Sequence, residues 1–310
     1  MKKIKLTCAH AIVKHLIAQK ILIDGKKQPL FAGAFGIFGH GNVACLGQAL
    51  EENKDKLPTY RGHHEQNMAL TGIAYARAKR RKQIFVATSS VGPGSTNMVT
   101  AAAVAMSNRI PILFLPGDTY ANRMPDPVLQ QVEHFNNPGI TQNDAFKPVT
   151  KYFDRLTRPE QILQTLPQAI QTMLDPADSG PACISMSQDV QGEVFEYPEE
   201  FFKETIHNIR RPRPDDFQIK QAAEKIKLSN NPIIISGGGV FYSDAMEDVA
   251  NFAEKHNIPV TQTVMGYSTM KRDHSHFLGP IGGLGGKAAN NLAKQTDLAI
   301  AVGTKLGDFT

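Results

Sequence analysis

Cysteine is scarce in this sequence, which contains only Cys8, Cys45 and Cys183 among its 310 residues. Three widely spaced cysteines provide neither a disulfide framework nor a zinc cluster, and they suit a reducing compartment. Long apolar runs are also absent, so no segment predicts a membrane-spanning helix. The N-terminus begins like a signal peptide, but His10 and Lys14 interrupt its apolar run, which indicates an amphipathic helix instead. Together these absences predict a cytoplasmic protein.

A concentrated basic surface is absent as well. The formal net charge is +5, and lysine and arginine are dispersed apart from short clusters at 79–82 and 210–213. Nucleic-acid-binding proteins normally gather basic residues into a stripe interleaved with aromatic residues. We therefore expect neither a nucleic-acid partner nor a membrane partner. With 41% hydrophobic and 20% charged residues, the chain has the composition of an ordinary globular protein of about two domains.

Short apolar runs alternate with helical patterns in the first part of the chain, which is typical of α/β proteins with a mostly parallel sheet. The clearest unit runs from the strand "QIFVATSS" (83–90) through the glycine turn "VGPGSTN" and a helix of small residues to the strand "IPILFLPGD" (110–118). Ligands of such units lie beyond the carboxyl ends of the strands. Further helices are expected near 9–20 and 158–174, and further strands near 30–34 and 181–187.

The composition changes at 193–216, where prolines and charged residues follow one another without a clean period, as in a surface linker. The α/β alternation then resumes, with helices expected at 218–228 and 245–256 and strands at "PIIISGGG", "IPVTQT" and "DLAIAVG". We therefore expect a first α/β domain at 1–192 and a second at 217–310. The second domain stops directly after a strand, where a further βα unit is expected, so it is predicted to be incomplete.

One carboxylate stands out within "YRGHHEQNMALTGIAYARAKRR" (60–81). Glu65 follows His63 and His64 and precedes an alanine-rich helical run. A zinc protease needs His-Glu-x-x-His, but no second histidine follows Glu65, and side chains of adjacent histidines diverge. Two interpretations remain open from the residues alone. A carboxylate in the first turn of a helix is stabilised by the helix dipole, and a half-buried one at that position can also transfer protons.

Glycine-rich turns follow several of the expected strands. In "SSVGPGSTN" (89–97) the glycines let the backbone approach a ligand, and the following helix offers free N–H groups. The segment matches neither a P-loop nor the G-x-S-x-G nucleophile elbow, so a ligand site and a plain tight turn both remain open. The loops "GIFGHGN" (36–42), "ISGGGVF" (235–241) and "GPIGGLGG" (279–286) have the same character.

A polar loop is expected at 117–131, after the strand that ends at 118. Loops in this position often carry active-site residues, although a solvated loop has the same composition. Its polar side chains are Asp118, Arg123, Asp126, Gln130 and Gln131.

Taken together, three of these segments resemble a known family. The glutamate of "HEQNMA", the strand end "SSVGPGSTN" and the run "NRIPILFLPGD" are similar to the pyrimidine-binding domain of thiamine-diphosphate enzymes related to acetolactate synthase. The resemblance implies an α/β fold with a parallel sheet between helices, followed by an incomplete Rossmann-like central domain. It implies that Glu65 is catalytic, because the family's glutamate hydrogen-bonds N1′ of the cofactor and so promotes loss of the thiazolium C2 proton. It also implies that Gly92, Gly94 and Asn97 line the cofactor pocket.

Further segments narrow the resemblance within this family. The segments "GIFGHGNV", "DPVLQQVEHF", "QDVQGE" and "DLAIAVGTKLGDFT" are similar to ring-opening hydrolases of inositol catabolism. The resemblance implies that thiamine diphosphate and Mg²⁺ are the cofactors and that the substrate is a cyclic 1,2-diketone, opened to 5-deoxy-glucuronic acid. His40 and Asn42, on the glycine loop near the reacting carbon, are then expected to bind substrate oxygens, with Gln130 as a further contact.

The diphosphate-binding domain of this family has no counterpart in the sequence. That domain carries Gly-Asp-Gly followed by Asn-Asn, whereas Gly117–Asp118 and Gly307–Asp308 are not followed by glycine. No metal ligands are therefore expected within these residues. We expect the N-terminal half of an enzyme, inactive on its own, whose complete form is a homodimer or homotetramer. An acetolactate-synthase-like carboligase and a non-catalytic fragment or subunit of a split enzyme remain as alternatives.

Overall fold

The structure, a computed structural model, describes residues 2–125, 127–130, 132, 134 and 136–310. The chain divides into two compact units, Met1–Arg211 and Pro212–Thr310. Both contain a parallel sheet with helices, so the predicted α/β class is confirmed.

Parallel strands form the centre of the first unit. Its strands are β1 (Lys3–Thr7), β2 (Gln19–Ile23), β3 (Lys26–Pro29), β4 (Phe31–Gly36), β5 (Thr59–Arg61), β6 (Ile84–Thr88), β7 (Leu113–Phe114), β8 (Gly117–Asp118), β9 (Tyr152–Leu156), β10 (Ala182–Ser187), β11 (Val194–Pro198) and β12 (Thr205–His207). Seven of them form an all-parallel sheet in the order β5-β4-β6-β7-β10-β8, with β9 also paired to β10. Every residue of β6 and β10 is buried, as expected for strands covered on both faces.

Helices cover both faces of this sheet. They are α1 (Cys8–Ala18), α2 (Gln48–Glu52), α3 (Glu65–Ala78), α4 (Pro93–Thr96), α5 (Val99–Asn108), α6 (Ile162–Met173) and α7 (Gln188–Gly192). Successive residues of β6 face opposite sides. Ile84 and Val86 join the core that includes α1 and α6, whereas Phe85 lies against α3, edge-on to Tyr75 with 4.9 Å between ring centroids. Gly72 permits this close packing, because a Cβ there would lie 3.0 Å from Cβ of Phe85.

The strand expected at 110–118 is divided into β7 and β8. Pro116 lies between them and has no backbone N–H to donate to a neighbouring strand. Its carbonyl still accepts a hydrogen bond from the N–H of Met186 at 3.0 Å, so both short strands stay beside β10.

The segment expected to be a linker, 193–216, belongs largely to the first unit. β11 pairs antiparallel with β1, and β12 pairs parallel with β2, which also forms an antiparallel hairpin with β3. The interpretation of the N-terminus as one amphipathic helix is therefore incomplete, since α1 is flanked by the strands β1 and β2. The boundary between the units falls at Arg211–Pro212, near the end of the segment expected to be a linker.

The second unit is a smaller three-layer α/β unit. Its strands are β13 (Pro232–Ser236), β14 (Val260–Gln262), β15 (Phe277–Pro280) and β16 (Leu298–Val302), and its helices are α8 (Asp216–Leu228), α9 (Gly238–Tyr242), α10 (Met246–His256) and α11 (Lys287–Ala293). All pairs are parallel, in the order β15-β14-β13-β16. Ile234 packs with Val249 of α10 on one face, whereas Ile233 and Ile235 pack with Ala289 of α11 on the other. Among the described residues of either unit, no helix combines the length and apolar character needed to cross a bilayer.

Candidate active site

Two of the glycine-rich loops meet at the carboxyl edge of the first sheet. β4 leads into the loop 37–42 and β6 leads into the turn 89–97, and β4 and β6 are parallel neighbours. The N–H of Val91 donates to the carbonyl oxygen of His40 at 3.0 Å and joins the two loops. This is the edge at which open α/β sheets bind their ligands.

Glu65 is the first residue of α3, and its carboxylate contacts the turn after β6. His64 precedes it in an extended conformation and caps the helix, its Nδ1 accepting from the N–H of Asn67 at 3.3 Å. The helix N-terminus favours a negative charge at this position. Oε2 of Glu65 accepts a hydrogen bond from Nδ2 of Asn97 at 2.8 Å, and no described residue donates to Oε1. The structure thus joins two residues from separate segments that the family resemblance implied at the cofactor site.

Gly92 and Gly94 shape the turn that presents Asn97. Gly92 has φ of +70° and ψ of −126°, a conformation open to glycine, and it directly precedes α4. Pro93 occupies the first position of α4, where a missing N–H leaves no helical hydrogen bond unmade. A Cβ at Gly94 would lie 2.5 Å from Oγ of Ser90 and 3.4 Å from Oε1 of Glu65. Glycine at this position therefore keeps open the space beside Oε1, the oxygen to which no described residue donates.

An open cleft of about 700 Å³ lies at the Glu65–Asn97 pair. Its described lining residues are Glu65, Pro93, Gly94, Thr96, Asn97, Thr100 and Val132. Glu65, Gly94 and Asn97 were expected at the cofactor site and line the cleft, whereas Gly92 acts through the backbone of the turn; the binding roles of all four stay predictions. Thr100 was missed, although it follows Asn97 by one helical turn and so shares its face.

His40 and Asn42 lie on the loop after β4 and are not among the described lining residues of this cleft. The Asn42 side chain is buried: Oδ1 accepts from the N–H of Gly39 at 2.9 Å, and Nδ2 donates to the carbonyl oxygen of Ile37 at 3.1 Å and to Oγ1 of Thr88 at 3.2 Å. The amide therefore holds the loop together, and its expected role toward a substrate stays a prediction. Nε2 of His40 is buried without a hydrogen-bond partner among the described residues, and its role toward a substrate stays a prediction.

Of the polar residues expected on the loop 117–131, those that the structure describes are not among the described lining residues of the cleft. Gln130 is exposed, has φ of +62° and is not among the described lining residues, so its substrate contact stays a prediction. Asp118 was expected at the end of the strand 110–118 as well as among the polar residues of the loop, and the structure has it at the strand end. This residue ends β8 and is fully buried, because Nε of Arg155 donates to its Oδ2 at 2.8 Å and pairs the charge. Asp126 and Gln131 lie outside the described residues.

Metal-binding side chains were not expected within this chain. Across the described residues, no group of three or more His, Cys, Asp or Glu side chains is placed to hold a metal ion. His63 and His64 are exposed, and His64 uses Nδ1 to cap α3.

Comparison with known protein families identifies both units. The family model described as "Thiamine pyrophosphate enzyme, N-terminal TPP binding domain" matches residues 19–137. The model described as "Thiamine pyrophosphate enzyme, central domain" matches residues 219–310. All the described lining residues of the cleft fall within the first match.

Three curated relatives share the name 3D-(3,5/4)-trihydroxycyclohexane-1,2-dione hydrolase. The protein of Clostridium tetani is 51% identical and that of Geobacillus thermodenitrificans is 50% identical, each over all 310 residues of the chain. The protein of Clostridium perfringens is 50% identical over 306 residues, or 99% of the chain. Each alignment covers 48% of the relative, so the chain spans about half the length of the curated relatives it matches. The predicted family is confirmed by these matches: the chain belongs to the thiamine pyrophosphate enzymes and carries their N-terminal and central domains.

Proposed function

We propose that the full-length protein containing this chain is a thiamine-diphosphate- and Mg²⁺-dependent hydrolase. It opens the ring of trihydroxycyclohexane-1,2-dione by hydrolysis of a C–C bond and gives 5-deoxy-glucuronate in myo-inositol degradation. The observation that carries the proposal is the Glu65–Asn97 pair at an open cleft within a matched TPP-binding domain. The name shared by relatives that are about half identical to the whole chain supports the choice of substrate.

The residues at the cleft fit the aminopyrimidine end of the cofactor. Glu65 offers Oε1 as an acceptor that no described residue occupies, and Gly94 leaves the space beside that oxygen clear of a side chain. Asn97 occupies the other oxygen, so the carboxylate is held in one orientation. A planar ring with a polar nitrogen therefore has both room and a charged partner at this position.

Thiamine diphosphate, when bound, supplies the electron sink that cleavage of a C–C bond requires. Glu65 accepts a hydrogen bond at Oε1 and holds or releases a proton at that atom, as a positioned general acid–base does. Asn97 donates to Oε2 and fixes the direction in which Oε1 points. A charge-assisted bond of this kind is about twice as strong as a neutral one. Mg²⁺ and the diphosphate are held, in this proposal, by parts of the full-length protein outside these residues.

The test measures consumption of the cyclic dione by the full-length protein with thiamine diphosphate and Mg²⁺. Glu65→Gln keeps the size of the side chain but removes its charge, and we expect turnover to fall by roughly 100-fold or more. Glu247→Gln is the matched control, because Glu247 also lies in the first turn of a helix, α10, but in the second unit. Its turnover should equal that of the unchanged protein.

Two results would contradict the proposal in different ways. Undiminished turnover by Glu65→Gln would remove Glu65 from the chemistry. Product formation from pyruvate, with none from the dione, would assign the carboligase chemistry of acetolactate synthase instead.

A further inference from the structure

A buried ion pair lies at the end of β8 in the first unit. Oδ2 of Asp118 accepts from Nε of Arg155 at 2.8 Å, and Nη2 of Arg155 also lies 3.0 Å from Oδ2 of Asp144. Burial by itself lowers the pKa of Arg155, but the neighbouring carboxylate of Asp118 raises that pKa above its ordinary value overall. The guanidinium is therefore charged, and Asp118 faces it as an acceptor.

A directed chain of hydrogen bonds starts from Asp118. The hydroxyl of Ser185 donates to its Oδ2, and Nδ2 of Asn143 donates to Oγ of Ser185 at 2.7 Å and to the carbonyl oxygen of Gly117 at 2.9 Å. These contacts orient the amide, because both acceptors lie on its NH₂ side. Its Oδ1 is left to accept from Oγ of Ser95 at 2.5 Å. Ser185, Asn143 and Ser95 are all completely buried.

Ser95 connects this chain to the cleft, because it belongs to α4. The same short helix carries Gly94, and Asn97 directly follows it. Every donor along the chain points towards Asp118, so the bonds polarise one another in the same direction. One end is thus a buried charge, and the other is the backbone that presents the donor to Glu65.

We propose that Asp118, Ser185, Asn143 and Ser95, the Asp118–Ser95 chain, position the active site. The chain fixes α4 so that Asn97 keeps its hydrogen bond to Oε2 of Glu65 and Oε1 faces the cofactor. Its members are positioning residues, since none of them is among the described residues that line the cleft. This inference rests on the proposed role of Glu65 toward thiamine diphosphate.

The test measures hydrogen–deuterium exchange at C2 of thiamine diphosphate bound to the full-length protein, without substrate and at saturating cofactor. Ser95→Ala should slow the exchange by roughly five- to tenfold, the effect of one lost hydrogen bond on the placement of the turn. Ser179→Ala is the matched control. Ser179 is also buried, and its hydroxyl donates to the carbonyl oxygen of Met173 at 2.7 Å, which is not part of the Asp118–Ser95 chain. Removing this hydroxyl should leave the exchange rate unchanged.

A double-mutant cycle separates positioning from general damage to the fold. If Ser95 acts through Asn97, then Ser95→Ala slows exchange in the unchanged protein but adds nothing in an Asn97→Ala background. Equal slowing in both backgrounds, or no slowing in either, would overturn the inference. Ser95→Cys keeps a side chain of similar size with a weaker donor, so it can be measured if Ser95→Ala does not fold. Its exchange rate should lie below that of the unchanged protein and above that expected for Ser95→Ala.

Glu65→Gln distinguishes this inference from the proposed function. If that variant exchanges C2 hydrogen at the unchanged rate, the role of Glu65 fails and the positioning role fails with it. If Glu65→Gln is slow while Ser95→Ala is normal, only the role of the Asp118–Ser95 chain fails.

Discussion

Removing the carboxylate of Asp118 should destabilise the first unit far more than removing a surface carboxylate does. Asp118 is fully buried, and its oxygens accept hydrogen bonds from the N–H of Thr119 at 2.8 Å, from Nε of Arg155 at 2.8 Å, from Oγ1 of Thr141 at 3.2 Å and from Ser185. Asp118→Ala leaves these donors without their acceptor. It also removes one of the two carboxylates that pair with the guanidinium of Arg155, whose side chain is only 21% exposed.

The size of the effect follows from what remains after the substitution. Breaking a buried ion pair by removing one partner costs about 3–5 kcal/mol of unfolding free energy. Arg155 keeps its contact with Asp144 at 3.0 Å, so we expect the lower end of that range, about 3 kcal/mol. For a unit of this size each kcal/mol lowers the melting temperature by roughly 2–4 °C, which gives a loss of roughly 6–12 °C.

Thermal and urea denaturation of the chain measure this loss, with Glu204→Ala as the control. Glu204 pairs with Lys27 at 2.6 Å in the same unit, but its side chain is 44% exposed and that of Lys27 is 50% exposed. An exposed pair of this kind contributes about 0–1 kcal/mol. If Asp118→Ala lost no more stability than Glu204→Ala, the ion pair would not anchor the interior, and the argument for the Asp118–Ser95 chain would lose its starting point.

Two further predictions concern buried side chains outside the cleft. Burial lowers the pKa of His15 to about 4. Between about pH 6.5 and pH 4 the unfolded chain therefore binds a proton at His15 that the folded chain does not bind. The free energy of unfolding should fall as the pH drops through this range, by about 3 kcal/mol in all. Urea denaturation across this range should show the slope in the unchanged chain and a shallower slope in His15→Leu; equal slopes would contradict it. Burial raises the pKa of Cys8 to about 12 and that of Cys183 well above its ordinary value; it also raises the pKa of Cys45, but Cys45 is only partly buried and is therefore the most accessible of the three thiols. Iodoacetamide at pH 8 should therefore label Cys45 first, as read by peptide mass, and equally rapid labelling of Cys183 would refute the reasoning.

Local patterns were sufficient to predict the elements that carry the site. β6, the glycine turn after it and α5 fall within the expected strand–turn–helix unit, because a fully buried parallel strand is a continuous apolar run and a glycine turn marks its end. Glu65 begins α3, where a first-turn carboxylate is expected. Both signals depend on neighbouring residues, so one segment contains all the information that they require.

Pairings between distant segments could not be predicted in this way. β1 pairs with β11, which places Lys3 beside Pro198, and the charged, proline-containing stretch around β11 has no clean period of its own. The hydrogen bond between Glu65 and Asn97 likewise joins two segments whose separate patterns say nothing about distance. The family resemblance supplied the expectation that both residues serve the cofactor, while their direct contact is visible only in the structure.

The carboxyl edge of the first sheet illustrates why a polar residue after a strand is ambiguous in a sequence. Asn42 after β4 bonds to Thr88 at the end of β6, and Asp118 at the end of β8 bonds to Ser185 in β10, so these groups satisfy one another in the interior. Glu65 differs, because one of its oxygens has no donor among the described residues and lies beside a glycine that leaves room. A polar side chain whose hydrogen bonds are all made within the protein holds the loops in place. A side chain that is to bind a ligand needs a donor or acceptor that is still available. The inner polar groups therefore help to position Oε1 of Glu65, to which no described residue donates, and this is why we expect substitutions beneath the cleft to slow the proposed reaction although the substituted residues do not line the cleft.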